Sequence, residues 1–474
     1  MSSPKRNYIY NLIYQILILI IPLITAPYLS RVVGAEGVGT YSYTYSIVYY
    51  FMMLTLLGVN NYGNRTIAKV RDNKEELSKN FWGIYAMQLI MGITMLVLYV
   101  GYIFLFENEY KTIAIIQSLF IISSILDINW FFFGLEEFKV TITRNTIVKL
   151  GTMVLIFLFV KSTGDVWKYT LIMAGMTVVS QILLWGFLRK KVNFVKVSKK
   201  DIVKHIKPNL VLFVPVIAIS LYKMMDKVML GAMSNVTEVG YYENAEKIVN
   251  IPMTLISALG TVMLPRMTNI LSKGEEKEAN EYISKSIEFV MFMSFAICFG
   301  LIAIGYDFAP LYFGNEFQKS GILIMMLAIT TPFLAFANVV RTQYLIPKEK
   351  DKIYIVSVFE GAVLNFIMNW IFIPIFASIG ACIGTICAEA IVMLYQTYSV
   401  RKELKVKKYF KLIFPYFIKA LIMFVCVYLI NFLDVSGIWK LILQVLVGVS
   451  IYSVLNMNYI IDKMNLKNIL KLNK

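Results

Sequence analysis

One histidine, four cysteines and few charges are the notable shortages of this 474-residue chain. His205 stands alone in a lysine-rich stretch, and Cys298, Cys382, Cys387 and Cys426 sit in apolar runs without the neighbours a zinc site needs. That removes most metal chemistry and His-based nucleophile chemistry, so no metal and no cofactor is expected, and the cysteines read as small buried apolar residues. Charged residues make up 16% of the chain, against about 25% in a soluble domain, while apolar residues reach 58%. So few charges cannot clothe a water-soluble surface of this size, which excludes a cytosolic enzyme, a disordered chain and a secreted disulfide scaffold. With a mean hydropathy of +0.67, the chain has lipid as its main solvent.

What is present is a succession of apolar runs divided by charge clusters. A run of about 20 residues can cross a bilayer as a helix, and fourteen candidates fit between residues 9 and 461. The first two candidates are 9–33 and 38–62, and the tightest division separates 353–376 from 378–400, joined only through Ala377 and Ser378 with Gly380 following. Lys5 and Arg6 precede the first run, but that run is too long for a signal-peptide core and reads as the first span. The formal charge is +17. With basic residues at a span end assigned to the adjoining connection, thirty-five Lys and Arg fall on the side shared by both termini and six on the other. This is the positive-inside bias; it places both termini in the cytoplasm of a multi-pass plasma-membrane protein and leaves no cause to invoke nucleic acid.

The longest inner connection, 189–208, carries eight basic residues. Ser198-Lys199-Lys200-Asp201 has the pattern of a capping box, so a short in-plane amphipathic helix is expected there, with Ile202, Val203 and Ile206 on its apolar face. The chain also repeats itself. VGTYSYTYSI (38–47) aligns with VGYYENAEKI (239–248) at an offset of 201, and the same offset sets Arg65 on Arg266. GLEEFKVTITRN (134–145) lies over PKEKDKIYIVSV (347–358), matching Glu136 to Glu349 and Lys139 to Lys352. The unit of repetition holds six spans, an even number, so both copies insert with the same orientation. The expected organisation is an N-lobe over 1–188, a basic amphipathic cytoplasmic linker over 189–208, a C-lobe over 209–400, and two further spans with a basic tail over 401–474. The fold class is all-α and polytopic, two six-helix lobes related by a parallel repeat around a cavity, an arrangement common in transporters.

Three segments carry a resemblance: PLITAPYLSRVVGAEGVGTYS (22–42), LDINWFFFGLEEFKVTITRN (126–145) and DKVMLG (226–231) followed by MLPRMT (263–268). In order and spacing they resemble the polysaccharide transporter family of oligosaccharide repeat-unit flippases, within the multidrug/oligosaccharidyl-lipid/polysaccharide superfamily. The resemblance implies a V-shaped pair of lobes around a central cavity. It also implies a substrate with an undecaprenyl tail, a pyrophosphate and a short glycan, with membrane lipid and glycan-assembly proteins as further partners. Sister readings are a flippase for the peptidoglycan precursor and a multidrug exporter. A glycan polymerase or glycosyltransferase, a reading from another class, would need larger outer loops than this chain has. A major-facilitator sugar transporter shares the six-plus-six plan, but GVNNYGNRTIAKVRD (58–72) does not carry its signature.

Charges inside spans are costly and usually face an interior or a cavity. Lys223, Asp226 and Lys227 occupy one face of the seventh span, and Glu243, Glu246 and Lys247 repeat that spacing on the eighth. Arg31 closes the first span. On the resemblance, spans one, two, seven and eight line the cavity. Arg31, Lys223, Lys227 and Lys247 then offer positive charge to a pyrophosphate, while Asp226, Glu243 and Glu246 hold those cations or take a coupling ion, H+ or Na+. Structural salt bridging explains the same pattern, and both readings stand at this stage. Glu360 and Glu389, inside spans eleven and twelve, are either proton relays or neutral hydrogen-bonding groups. Trp130 and the three phenylalanines after it are expected in an interfacial aromatic belt rather than in substrate reception. Pro22 and Pro27 mark a bend in the first span.

Overall fold

The computed structural model describes residues 4–189 and 191–463; within them the side chains of 4–19, 138, 215, 218, 219, 221–223, 462 and 463 lie outside the described residues. The expected apolar-run helices are there, and no strand occurs among the described residues. In chain order they are α1 (Pro4–Leu56), α2 (Val59–Val70), α3 (Lys74–Phe106), α4 (Lys111–Ile125), α5 (Asn129–Gly134), α6 (Phe138–Phe159), α7 (Val166–Leu188), α8 (Lys199–Met233), α9 (Val236–Ser272), α10 (Glu276–Phe313), α11 (Gln318–Ala328), α12 (Thr330–Val340), α13 (Asp351–Phe376), α14 (Ser378–Ser399), α15 (Val406–Leu429), α16 (Gly437–Leu455) and α17 (Met457–Lys463). Twelve stretches among the described residues are long and apolar enough to cross a membrane. The expected fourteen exceeds this by two: the first two runs share the stretch Ile20–Val70, and the seventh lies on α8, outside the twelve. The chain divides into two compact units, Met1–Gly240 and Tyr241–Lys474.

Three helix breaks fall where the backbone leaves the right-handed region. Within α1 the break is at Gly34 (φ 72°), in the gap expected between the first two runs, and past Pro22 and Pro27, which stay inside the helix. Ala377 (φ 51°) separates α13 from α14. Gly380 then permits the second helix to fold back, because a Cβ there would lie 2.3 Å from the Phe372 carbonyl oxygen. The second run ends earlier than its hydropathy suggests, at Leu57 (φ 49°), and α2 takes a new direction.

In the first unit the core gathers on α5. Trp130, Phe131 and Phe132 are fully buried, together with Phe81 of α3 and Leu184 of α7. This overturns the aromatic-belt expectation: belt residues face the lipid–water boundary, whereas Trp130 packs against Gly63 of α2, where a Cβ would sit 2.5 Å from the ring. The Trp130 indole N–H donates to Gln88 Oε1 at 3.1 Å, and the Gln88 amide donates to the carbonyls of Ser124 and Asp127 at 2.7 and 2.8 Å. The polar tips of this motif are thus satisfied inside the protein.

The capping box forms as the sequence predicts: the Ser198 hydroxyl accepts from the Asp201 amide at 3.3 Å, and Asp201 accepts from the Ser198 amide at 3.1 Å. The Ser198 hydroxyl and amide, with Lys79 beyond them, hold the Asp201 carboxyl down at about 2. The helix it opens is not short. It runs unbroken for 35 residues as α8, and its buried face carries His205 and Asn209, while Val203 and Ile206 are exposed. His205 is clamped between α2 and α3. The Tyr62 hydroxyl lies 2.6 Å from its Nδ1, and Gly83 leaves room for the ring, since a Cβ there would be 2.9 Å from Nε2. Burial, reinforced by the Lys204 charge, lowers the imidazole to about 4. The unfolded chain binds a proton near the ordinary histidine value of about 6.5. The docked neutral ring therefore stabilises fully above that value, and the contribution drains away as pH falls from about 6.5 towards 4. Wild-type protein is expected to lose thermal stability between pH 7 and pH 5, with His205→Gln flattening that slope; parallel slopes for the two proteins would refute the assignment.

The repeat is visible in backbone detail. Glu136 (φ 60°) and Glu349 (φ 55°), matched by sequence, both adopt the left-handed conformation. Each is followed by the same pair of bonds, from the Glu136 and Glu137 amides to the carbonyls of Phe133 and Phe132, and from the Glu349 and Lys350 amides to those of Ile346 and Leu345. This is a Schellman-type helix end, for which glycine is the usual residue; a glutamate at both sites preserves the geometry at some backbone cost.

The second unit is built on α10, whose Ile287, Met291 and Phe295 share one core with Met423 and Val427 of α15 and Tyr452 of α16. Tyr416 donates to Glu288 at 2.7 Å and Tyr452 to the Phe292 carbonyl at 2.8 Å. The two helices beyond the repeat are therefore part of this core. α11 and α12 are one apolar run broken at Ile329, and Pro332 falls in the first turn of α12, where a missing N–H costs no helix bond.

Candidate functional site

In the first unit, α8 carries Asp226 and Lys227 of the seventh-span triplet. Asp226 and Lys227 are both buried, at 5% and 8% exposure, and Tyr50 of α1 lies within electrostatic reach of Asp226. The Lys223 side chain lies outside the described residues. Two turns earlier than Lys227, the Ser220 hydroxyl is 3.5 Å from that of Tyr49, so this face of α8 packs on the second half of α1. Arg31, at the end of the first half of α1, is exposed. The structure thus brings Asp226 to Tyr50 of α1.

Those tyrosines were legible as Y-S-Y-T-Y-S-I-V-Y-Y but were not weighed as a site. Tyr41 and Tyr45 stack with centroids 5.8 Å apart, Tyr45 and Tyr49 are 6.3 Å apart, and Tyr49 and Tyr50 are 6.5 Å apart. All are half-buried. Such a ladder offers apolar ring faces and hydroxyl tips together.

At the start of α9 the repeat-equivalent glycines meet. A Cβ on Gly39 would lie 1.7 Å from the Val236 carbonyl oxygen and 2.9 Å from the Gly240 nitrogen; one on Gly240 would lie 2.0 Å from the Ala35 carbonyl oxygen. Nearby, Gly231 of α8 accommodates the Tyr43 ring, which a Cβ would approach to 2.1 Å. The offset of 201 therefore ends in a backbone-to-backbone crossing that only glycine permits on either side.

In the second unit, Lys247 and Glu243 pair along α9 at 3.0 Å, and Glu246 is half-buried beside them. The Tyr242 hydroxyl lies 2.9 Å from that of Thr385 on α14, and the Ser320 hydroxyl donates to the Tyr241 carbonyl at 2.9 Å. Glu389 of α14 is buried. Glu360 of α13 is exposed and edges a groove of about 530 Å³ otherwise lined by apolar residues, including Val356, Phe359 and Ile367. The two carboxylates expected to behave alike thus sit in opposite environments. Among the described residues no three His, Cys, Asp or Glu side chains converge as a metal site.

A family model described as polysaccharide biosynthesis protein matches residues 5–271, and a second, MatE, matches 212–371. A protein of Escherichia coli (strain K12) named "Putative O-antigen transporter" is 23% identical over 85% of this chain and 97% of its own length. "Probable low-salt glycan biosynthesis flippase Agl15" of Haloferax volcanii is 23% identical over 61% of this chain and 60% of its own. Among solved structures, lipid II flippase MurJ in an inward closed conformation superposes with a TM-score of 0.78 at 16% identity, covering 97% of this chain and all of that one. An inward-facing multidrug resistance MATE family transporter gives 0.59 at 11% identity, over 83% and 99%.

Proposed function

The chain belongs to the polysaccharide biosynthesis protein family, and from that premise we propose that it translocates undecaprenyl-pyrophosphate-linked oligosaccharide units from the cytoplasmic to the outer leaflet. No bond is made or broken. The observation that carries this reading is the burial of Asp226 and Lys227 on α8, with Asp226 within electrostatic reach of Tyr50 of α1. A charged side chain at membrane depth is retained where something charged must be met or moved. Arg31, Lys223, Lys227 and Lys247 attract the pyrophosphate, and the ring faces and hydroxyls of Tyr41, Tyr45, Tyr49 and Tyr50 suit sugar units. Asp226, Glu243 and Glu246 hold the cations or take a coupling ion, H+ or Na+, with Glu360 and Glu389 as further carboxylates for that ion. The arrangement proposed with it, a six-plus-six repeat over 1–188 and 209–400 with fourteen spans and both termini cytoplasmic, suits an alternating-access cycle. Outward passage of an anionic headgroup also runs downhill on an inside-negative potential, by about 2.3 kcal/mol per charge per 100 mV.

A peptidoglycan precursor shares the undecaprenyl pyrophosphate and is the second reading. Vesicles containing the purified protein and either lipid-linked oligosaccharides or the precursor distinguish the two by which lipid becomes accessible outside. Substrate contact and structural pairing are separated by the double variant Asp226→Asn/Lys227→Gln. It removes both buried charges at similar volume. Translocation is expected to fall about tenfold or more at normal protein levels, the loss of one charge-assisted contact. Unchanged translocation would reduce the pair to a structural role.

A further inference from the structure

A second groove, about 620 Å³ in volume, opens in the first unit where α3 and α7 meet the loop before α8. Its walls are Trp82, Trp185 and Phe194, its floor is Ile182 and Gly186, and Arg189 stands on its rim. The loop is not loosely placed. The Trp82 indole donates to the Asn193 carbonyl at 2.9 Å, the Asn193 amide donates to the Ser78 hydroxyl at 3.0 Å, and Lys191 pairs with Glu137. Phe194 is held edge-on to Trp82, centroids 5.2 Å apart, yet is 81% exposed. A ring fixed in that position presents apolar surface that gains from being covered. The floor is open as well: a Cβ on Gly186 would meet no atom within 4 Å.

The residues around the groove say what covers it. Ile182, Leu183 and Phe187 of α7 are exposed along the same helix, so the groove continues an apolar, acyl-facing surface. In the sequence, the stretch from 189 to 200 carries Arg189, Lys190, Lys191, Lys196, Lys199 and Lys200 and no acidic residue. An apolar slot walled by tryptophans with Arg189 on its rim matches a lipid with a negative headgroup, and basic pockets between transmembrane helices bind phosphorylated headgroups. We propose that this groove is a binding site for an anionic phospholipid of the leaflet bordering the basic loops. One acyl chain lies across Gly186 between Trp185 and Phe194, and the phosphate is held by Arg189.

The full-length protein, extracted in detergent and offered equal amounts of phosphatidylglycerol and phosphatidylcholine with the same acyl chains, tests this by native mass spectrometry. Wild type is expected to retain phosphatidylglycerol about fivefold over phosphatidylcholine, the worth of one basic residue at a membrane surface. Arg189→Gln removes the preference, and Gly186→Leu, which fills the slot, lowers retention of both lipids. Both variants should melt like wild type in lipid-free detergent, since Arg189 is exposed and a Cβ at 186 meets no atom within 4 Å. Equal retention of the two lipids by wild type, or an undiminished preference in Arg189→Gln, overturns the site. Preferential retention of undecaprenyl phosphate over phosphatidylglycerol would give the groove to a glycan carrier and overturn it too.

Discussion

A Gly39→Val chain is expected to reach the membrane in near-normal amount and to translocate at least about tenfold less lipid-linked glycan than wild type, equivalent to about 1.4 kcal/mol in a transport barrier. The reason is geometric. The atoms that a Cβ at 39 would strike are the Val236 carbonyl and the Gly240 nitrogen, which belong to backbone and cannot rotate away. Relief requires α1 and the start of α9 to separate bodily. Helix formation itself does not suffer, because valine is a better helix former than glycine and Gly39 is not among the left-handed residues. An alternating-access protein must visit each of its packed states, so forbidding one close crossing stalls the cycle while leaving the helices intact. Gly240→Val should have the same effect, because the two positions are repeat equivalents and each meets the other's backbone. Gly175→Ala is the control: its Cβ meets nothing within 4 Å and transport should be unchanged. Flipping by purified protein in vesicles measures all three, and wild-type rates for Gly39→Val would mean that the crossing never needs to close during transport.

Much of the helix plan was legible in the sequence, for identifiable reasons. Breaks near Gly34 and at Ala377 were visible because charge or small residues interrupt the apolar runs, and the Ser198 box because capping needs two residue types at a fixed spacing. The repeat was visible in matched segments such as VGTYSYTYSI and VGYYENAEKI, and two of its matched residues, Glu136 and Glu349, share a left-handed backbone conformation. What stayed hidden was which apolar face points inward. In water, hydrophobicity separates core from surface; in lipid both environments are apolar, so that signal vanishes. Leu183 and Leu184 are adjacent and chemically identical, yet one is 47% exposed and the other fully buried. The same ambiguity set Trp130 in a belt when it belongs to a core. It also directed attention on α8 to Val203 and Ile206 rather than to His205 and Asn209. At the candidate site, charged residues were conspicuous because they are rare inside spans. The α1 tyrosines were not, since an aromatic in a span is unremarkable until its neighbours are known.

The motif around Trp130 leads to the other large expected effect, which concerns folding rather than transport. Arg144 of α6 is buried, and its guanidinium donates to Asn129 Oδ1 at 2.9 Å, to the Ser180 carbonyl at 3.2 Å and to Gln181 Oε1 at 3.4 Å. Asn129 in turn donates to Asp127 at 2.7 Å from its side chain and 2.8 Å from its backbone, and Asp127 feels the Arg144 charge directly. One side chain therefore ties the start of α5 to α6 and α7. Arg144→Leu would strand these acceptors and break the line of hydrogen bonds that runs through Asn129 to Asp127. Losing one partner of a buried charge network costs about 3–5 kcal/mol, a large share of the roughly 5–15 kcal/mol that holds a typical domain folded. The variant is expected to be nearly absent from membranes by immunoblot. Arg144→Lys should fall between it and wild type, because an ammonium restores the charge but not the planar fork that reaches three acceptors at once. Normal accumulation and an unchanged melting temperature for Arg144→Leu would show that the network is dispensable to the fold. Arg144 would then have to be explained by contact with substrate, which its burial opposes.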